Sequence, residues 1–240
     1  MLRIAPIALA HAERFHACLD AVAREKRWLA QTAALPLERI RGFVTQSVTD
    51  DAVQFVALQG DTVVGWADIF PAWAEGVKHI GTLGMGLRAE VRGRGLGRQL
   101  LASCLVKAAV KGMTRIELSV RADNQAAIRL YEALGFAPEG RKRHGHRIDG
   151  VYSDTLAMSL LLDEPADDGS TAAAAGTLRC ALCGSLNQCA MASGNTSSCW
   201  CATTTVPPEL LARVPEALRG VSCICPRCVA RAHLPEAVTP

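Results

Sequence analysis

Hydrophobic positions along the chain repeat with two periods, and the switches between them outline the elements. Leu2 to Leu9 is apolar enough for a first strand. Ala10 to about Ala30 places Phe15, Cys18, Leu19 and Val22 at helical spacing among charged residues. Leu37 to Val48 predicts a second helix, with Pro36 at its start. Val53–Leu58 and Thr62–Phe70 read as strands joined at the turn signal Gly60-Asp61. In the second strand Val64, Trp66, Asp68 and Phe70 are expected on one face, which makes Asp68 either a carboxylate in a site or a strand-end residue facing solvent. His79–Leu87 predicts a further strand, and Gly97–Lys111 a helix stopped by Gly112. Arg115–Arg121 alternates, with Ile116, Leu118 and Val120 inward. A helix capped by Asp123 or Asn124 and ended by Gly135 follows, and Val151–Leu162 is a last, largely buried strand. Strands interleaved with helices predict a mixed α/β (α+β) fold with a central sheet.

Glycines interrupt this pattern at two places. Gly81, Gly84 and Gly86 stand inside a predicted strand, where they signal a bulge or a close backbone approach. Arg92-Gly93-Arg94-Gly95-Leu96-Gly97 then precedes the helix of Arg98-Gln99-Leu100-Leu101. A strand, a glycine loop and a helix N-terminus together make a seat for a pyrophosphate, because free N–H groups and the helix dipole point into the loop. The loop lacks the Gly-Lys-Ser/Thr ending of a nucleoside triphosphate site, and its glycines are not spaced as in a dinucleotide fingerprint.

The remaining pattern, Arg-x-x-Gly-x-Gly from Arg92 to Gly97, resembles the acyl-CoA loop of the GNAT N-acetyltransferase superfamily. A second stretch, Asn124 to Phe136, is similar to that family's other signature: an Asn opening a helix, a Tyr seven residues on, and a closing Gly-Phe. The resemblance covers Leu2 to Leu162. It implies acetyl transfer from acetyl-CoA to an amine of a peptide, protein or small molecule. It places the cofactor against Met85, Leu87, Arg92, Gly93, Arg94, Gly95, Leu96, Gly97, Arg98, Asn124 and Ala127, with the backbone at Met85 and Leu87 pairing with the pantetheine arm as a pseudo-strand. Tyr131 is the implied general acid for the departing thiolate; a phenol of pKa ~10 stays protonated at neutral pH. No general base is assigned; His79, Asp68 and Glu75 are candidates.

Cysteine usage changes the picture after Glu164. Asp163 to Thr177 has almost nothing to bury and reads as a linker. Eight of the ten cysteines follow it: Cys180-x2-Cys183, Cys189, Cys199-Trp200-Cys201, Cys223-x-Cys225-x2-Cys228. Such turns bring paired thiolates to a tetrahedral metal, and so small a unit needs the folding energy that a metal supplies. Eight thiolates fit two zinc ions, with Cys180, Cys183, Cys225 and Cys228 on one and Cys189, Cys199, Cys201 and Cys223 on the other; His233 could replace one ligand. Disulfides are the alternative. The region resembles the bacterial cysteine-rich CWC family, and Pro207–Leu218 predicts one or two short helices. The expected organisation is therefore residues 1–164, a linker at 165–178, and a cysteine-rich unit at 179–234.

Composition sets the remaining bounds. Half the residues are hydrophobic and a fifth charged, as in globular proteins. A net charge of +3 is too weak to argue for nucleic acid as a partner. The basic run Arg141–Arg147 is expected to be solvated between strands. No apolar run reaches the ~18 residues of a membrane span, and no signal-peptide pattern is present, so a cytoplasmic location with reduced thiols is expected. Two readings follow: an acetyltransferase whose cysteine-rich module recruits an acceptor or adds stability, or a non-catalytic acyl-CoA-binding protein whose module senses metal or binds a partner.

Overall fold

The computed structural model describes residues 2–163, 179–184, 187, 199–220 and 222–234. Seven strands form one sheet: β1 (Leu2–Pro6), β2 (Val53–Gln59), β3 (Thr62–Pro71), β4 (Ile80–Leu87), β5 (Arg115–Arg121), β6 (Ala137–Ile148) and β7 (Val151–Leu161). Their order is β1-β2-β3-β4-β5-β7-β6, and only β4 and β5 run parallel. Helices α1 (Ala12–Arg24) and α2 (Leu37–Thr49) cover one face, packing with Val56, Leu58 and Trp66. Helices α3 (Leu96–Val110) and α4 (Gln125–Glu132) cover the other, packing with Phe55, Ala57, Ile69 and Ile116.

Most expected elements form near their predicted bounds, with two informative differences. The first helix stops at Arg24 rather than near Ala30, and Lys26 adopts a left-handed φ of 51°. Residues 25–36 thereby lie outside any helix, and Arg27–Gln31 line the cavities beside β4. In β3, Val64 does not share a face with Trp66. The β2–β3 register shifts between Ala57, opposite Gly65, and Leu58, opposite Val63, which leaves Val64 as the extra residue of a bulge. Val64 joins the apolar cluster under α3, while Val63 and Trp66 join the one under α1. The basic run lies within edge strand β6, exposed almost throughout, where charge discourages pairing with another sheet.

Helix α3 is buried on every side; only Arg98, Lys107 and Val110 among its residues reach solvent. Its inner side meets the sheet, and its outer side is covered by α6 (Pro226–Ala232) and a short 3-10 turn at Trp200. Cys180, Trp200, Leu210, Val214, Ile224 and Val229 thus belong to the same apolar cluster as Leu100 and Ile116. The Arg227 guanidinium lies over Gly135 and donates to the Leu161 carbonyl at 3.4 Å. The predicted short helices in 207–218 appear as α5 (Pro208–Ala212) and a 3-10 turn, Glu216–Leu218.

Candidate active site and metal centre

The site begins where two parallel strands part. β4 and β5 pair only at Ile80–Thr82 with Arg115–Glu117. Beyond Thr82, β5 keeps β7 as its partner and β4 keeps only β3. The direction of the free backbone groups follows from two bonds to the β3 side, Arg88 N–H to Val64 O (2.9 Å) and Ala72 N–H to Ile80 O (2.9 Å). Even-numbered residues of β4 therefore bond β3. The amides of Leu83, Met85 and Leu87 face the opening. An extended chain bearing amides fits this edge as an added strand.

The glycine loop closes the opening from above. Gly93 (φ 75°) and Gly95 (φ 76°) take left-handed conformations, which accounts for glycine at both. The first intrahelical bond of α3 runs from Gln99 N–H to Gly95 O, so the N–H groups of Leu96, Gly97 and Arg98 have no helical partner. Gly97 has ordinary φ, but a Cβ there would stand 3.1 Å from Leu130 and 3.3 Å from Met85; the helix start is packed onto its neighbours.

A cavity of about 560 Å³ fills the space between loop, β4 and α4. Ten of the eleven expected cofactor residues line it, together with Tyr131; Arg94 does not, and is exposed at the loop tip. Two of them also hold the structure around it. The Arg92 guanidinium donates to the Leu87 carbonyl (3.0 and 2.7 Å) and pairs with Glu25 (2.6 Å), tying the loop to the end of β4. The Asn124 side chain accepts from Ala127 N–H at 3.2 Å and caps α4. Tyr131 is 7% exposed and tilted against Phe136, with burial pushing its phenol pKa above the usual value. The non-helical segment after Arg24 adds Arg27, Trp28 and Leu29 to this cavity. Trp28 lies under the guanidinium of Arg27 (4.6 Å) and near that of Arg121 (5.8 Å). Helical periodicity hides these residues, because the left-handed Lys26 that redirects them leaves no mark in the pattern.

A second cavity, about 790 Å³, opens on the α1–α2 side of β4. Its walls include Phe15, Phe43 and Trp66, and its floor is Asp68 opposite Gly84. Leu29 and Met85 line both cavities, so the two meet at the free edge of β4. The glycines of β4 make room here: a Cβ at Gly84 would lie 2.7 Å from Asp68 Oδ1, and one at Gly86 2.3 Å from the Trp66 ring. His79 is exposed ahead of β4, and Glu75 is paired with Lys78 outside the cavity, which removes both as neighbours of the opening. The basic run is also elsewhere; Arg141 pairs with Asp154.

On the far side of α3, Cys180, Cys183, Cys225 and Cys228 bring their sulfurs within 4.8 Å of one another. Cys180 Sγ is 3.8 Å from Cys228 Sγ, and Cys183 Sγ is 3.7 Å from Cys225 Sγ. Disulfide sulfurs lie ~2.05 Å apart. Four thiolates held ~2.3 Å from a tetrahedral ion lie about 3.8 Å apart, the separation of both of these pairs. Backbone N–H groups also point at the sulfurs, from Leu182 and Cys225 to Cys180 and from Cys228 to Cys225, an arrangement that steadies thiolate charge. These four cysteines can hold a metal ion. Of the second expected set, Cys199, Cys201 and Cys223 line one cavity of about 350 Å³, and Cys189 lies outside the described residues. His233 turns its Nε2 to the Thr205 carbonyl at 3.2 Å.

Comparison with known proteins agrees with this geometry. The model of the acetyltransferase (GNAT) family matches residues 15–136, and that of cysteine-rich CWC matches 180–230. The chain therefore belongs to the GNAT acetyltransferase family and carries a CWC segment behind it. Mycothiol acetyltransferase of Thermobispora bispora is 34% identical over 128 residues, 47% of this chain and 42% of that enzyme. N-alpha-acetyltransferase RimI of Mycobacterium tuberculosis is 34% identical over 100 residues, 42% of this chain and 61% of that one. The matches thus span less than two thirds of these relatives. A Salmonella typhimurium protein described as an acetyltransferase and solved with its cofactor acetyl-CoA shares the fold (TM-score 0.64, 19% identity, 71% of this chain and 99% of that one).

Proposed function

We propose that the chain is an acetyl-CoA-dependent N-acetyltransferase acting on a primary amine. The observation that carries this is the meeting of two cavities at Met85: one has a pyrophosphate seat and a free strand edge, the other an open, aromatic-walled recess. Acetyl-CoA would lay its pyrophosphate on the N–H groups of Leu96, Gly97 and Arg98 and its arm along β4. The thioester carbonyl then comes to the Met85 or Leu87 N–H, which is placed to stabilise the oxygen as charge builds on it. The amine enters from the α1–α2 side, where its lone pair reaches the carbonyl carbon. Tyr131, kept protonated by burial, donates to the leaving thiolate. The acceptor is a small molecule, peptide or protein; relatives named for mycothiol and for a ribosomal protein support either kind.

In the same reading, the catalytic unit spans 1–164, a linker 165–178, and the cysteine-rich unit 179–234. Zinc is the ion we assign to Cys180, Cys183, Cys225 and Cys228, with a second on Cys189, Cys199, Cys201 and Cys223. Bound zinc supplies folding energy there, and the module recruits an acceptor or partner or steadies the enzyme. Reduced thiols accord with a cytoplasmic location; among the described residues, no helix is long and apolar enough to cross a membrane.

The test is to incubate purified protein with acetyl-CoA and a panel of amines, peptides and aminoglycosides, reading products by mass. An acetylated amine establishes the enzyme; acetyl-CoA binding without any product would sink it. The loop has its own prediction. Gly95→Ala meets no neighbour but strains a left-handed residue by about 1–2 kcal/mol. If the loop relaxes to relieve that strain, acetyl-CoA binding should weaken by up to ~30-fold by calorimetry, and unchanged affinity would remove the loop from the site.

A further inference from the structure

The reaction requires a neutral amine, and nothing so far takes the proton from an ammonium. Asp68 is placed to do so. It projects from β3 into the floor of the acceptor-side cavity, directly across from Gly84, and a Cβ at Gly84 would lie 2.7 Å from its Oδ1. The oxygen thus stands over the backbone one residue before Met85, the residue that both cavities share. Any side chain at 84 would block it. Asp68 makes neither an ion pair nor a hydrogen bond among the described residues; burial alone perturbs it.

A second observation lies behind it. Gln54 is the residue opposite Asp68 on β2, so both side chains leave the same face of the sheet. Gln54 is wholly buried, and among the described residues neither its amide nitrogen nor its amide oxygen has a partner. Buried polar atoms without partners are rare and mark places where a group or a water is held in the working state.

We propose that Asp68 is the general base: its carboxylate takes one proton from the ammonium of an acceptor bound against Phe15, Phe43 and Trp66. This rests on the acetyltransferase reading above. The step balances simply. The ammonium N–H bond breaks and Asp68 becomes a carboxylic acid. The freed lone pair forms the N–C bond, and the C–S bond breaks. The thiolate takes a proton from Tyr131, which regains one from the nitrogen as the amide forms. Asp68 returns its proton to solvent through the open cavity. One proton is released per acetyl group transferred.

Burial raises the Asp68 pKa to about 7, so at neutral pH the acid and base forms are both populated. Other ionisable groups are few on this side. Among residues lining the cavity, α2 brings Glu38 and Arg39, and α1 and β4 bring none. Across the sheet, the Cys104 thiol of α3 is held neutral by burial.

Asp68→Asn tests the assignment, because Asn keeps the shape and loses the basic oxygen. Two readouts are needed, on wild type and variant: acetylation of 2-phenylethylamine and of an alanine-initiated hexapeptide across pH 5.5–9.5, and melting temperature over the same range without acceptor. The amide is expected to lower kcat/KM for the amine at least ~100-fold at pH 7 and to leave acetyl-CoA affinity within ~2-fold. The deficit should narrow as pH rises, because more amine arrives already neutral. An acid whose pKa is raised by folding loses stability as pH climbs from the unfolded value, ~3.9, through the folded one. Wild type should therefore lose melting temperature up to about pH 8 relative to the variant. Equal rates and equal pH profiles would overturn the role of Asp68 while leaving acetyl transfer in place. Parallel melting curves would overturn it as well, since the carboxyl would not titrate where it must cycle. Acetyl-CoA binding with no product from either protein would overturn the acetyltransferase reading itself.

Discussion

Stripping metal from the cysteine-rich segment is expected to unfold the acetyltransferase fold along with it. The reason is the position of α3. This helix starts at the proposed cofactor seat and forms the centre of the core, and its outer side is covered by α6 and the turn at Trp200, both downstream of Cys180. Cys180, Cys183, Cys225 and Cys228 gather at the start of α6, where a bound metal would clamp it, and α6 with Trp200 fills the surface over α3. A structural zinc site contributes about 10 kcal/mol or more of apparent binding free energy, comparable to the whole stability of an ordinary domain. A strong chelator under reducing conditions should therefore lower the melting temperature by more than ~10 °C and expose apolar surface to a hydrophobic dye. Melting should remain a single transition, because the cluster is continuous across both parts. Trp200→Ala, which empties a site only 2% exposed, should cost about 3–5 kcal/mol with the metal still bound. A chelated protein that melts in two steps, the upper one unchanged, would show that the acetyltransferase fold does not need its cover.

Tyr131→Phe should lower kcat by ~10²–10⁴-fold and change acetyl-CoA affinity less than ~2-fold. The ring would stay where it is, because its packing against Phe136 and the α3 side of the core does not involve the hydroxyl. Only the proton donor is lost, so the thiolate must leave unprotonated. Stopped turnover with retained acetyl-CoA affinity would separate a catalytic phenol from a packed one. Wild-type turnover in the variant would assign proton donation to the tetrahedral nitrogen or to water.

Much of the chemistry could be read locally. The left-handed glycines of the loop, the Asn124 cap and the Cys-x2-Cys turns each follow from backbone conformations or ligand spacings that a few adjacent residues specify. For this reason the motif residues and their order identified the family, and the expected grouping of Cys180 and Cys183 with Cys225 and Cys228 matched the thiol cluster. The glycines of β4 also announced a close approach, although not of what.

The rest depends on which segments the fold brings together. That Asp68 faces a cavity rather than solvent is decided by α1 and α2 crossing above it, and its place opposite Gln54 by strand register. Val64 changed face because a single bulged residue inverts the alternation, an event with no local signature strong enough to read. Arg27 and Trp28 joined the cofactor cavity because Lys26 turned the chain out of a helix that its hydrophobic spacing would have continued. The cover over α3 shows the same division. The stretch from Leu100 to Ala109, apolar except at Ser103 and Lys107, puts apolar residues on most sides of the helix, which favours burial on both. That the partner is a cysteine-rich segment some hundred residues away is a matter of packing, because hydrophobic burial rewards any apolar surface and names none.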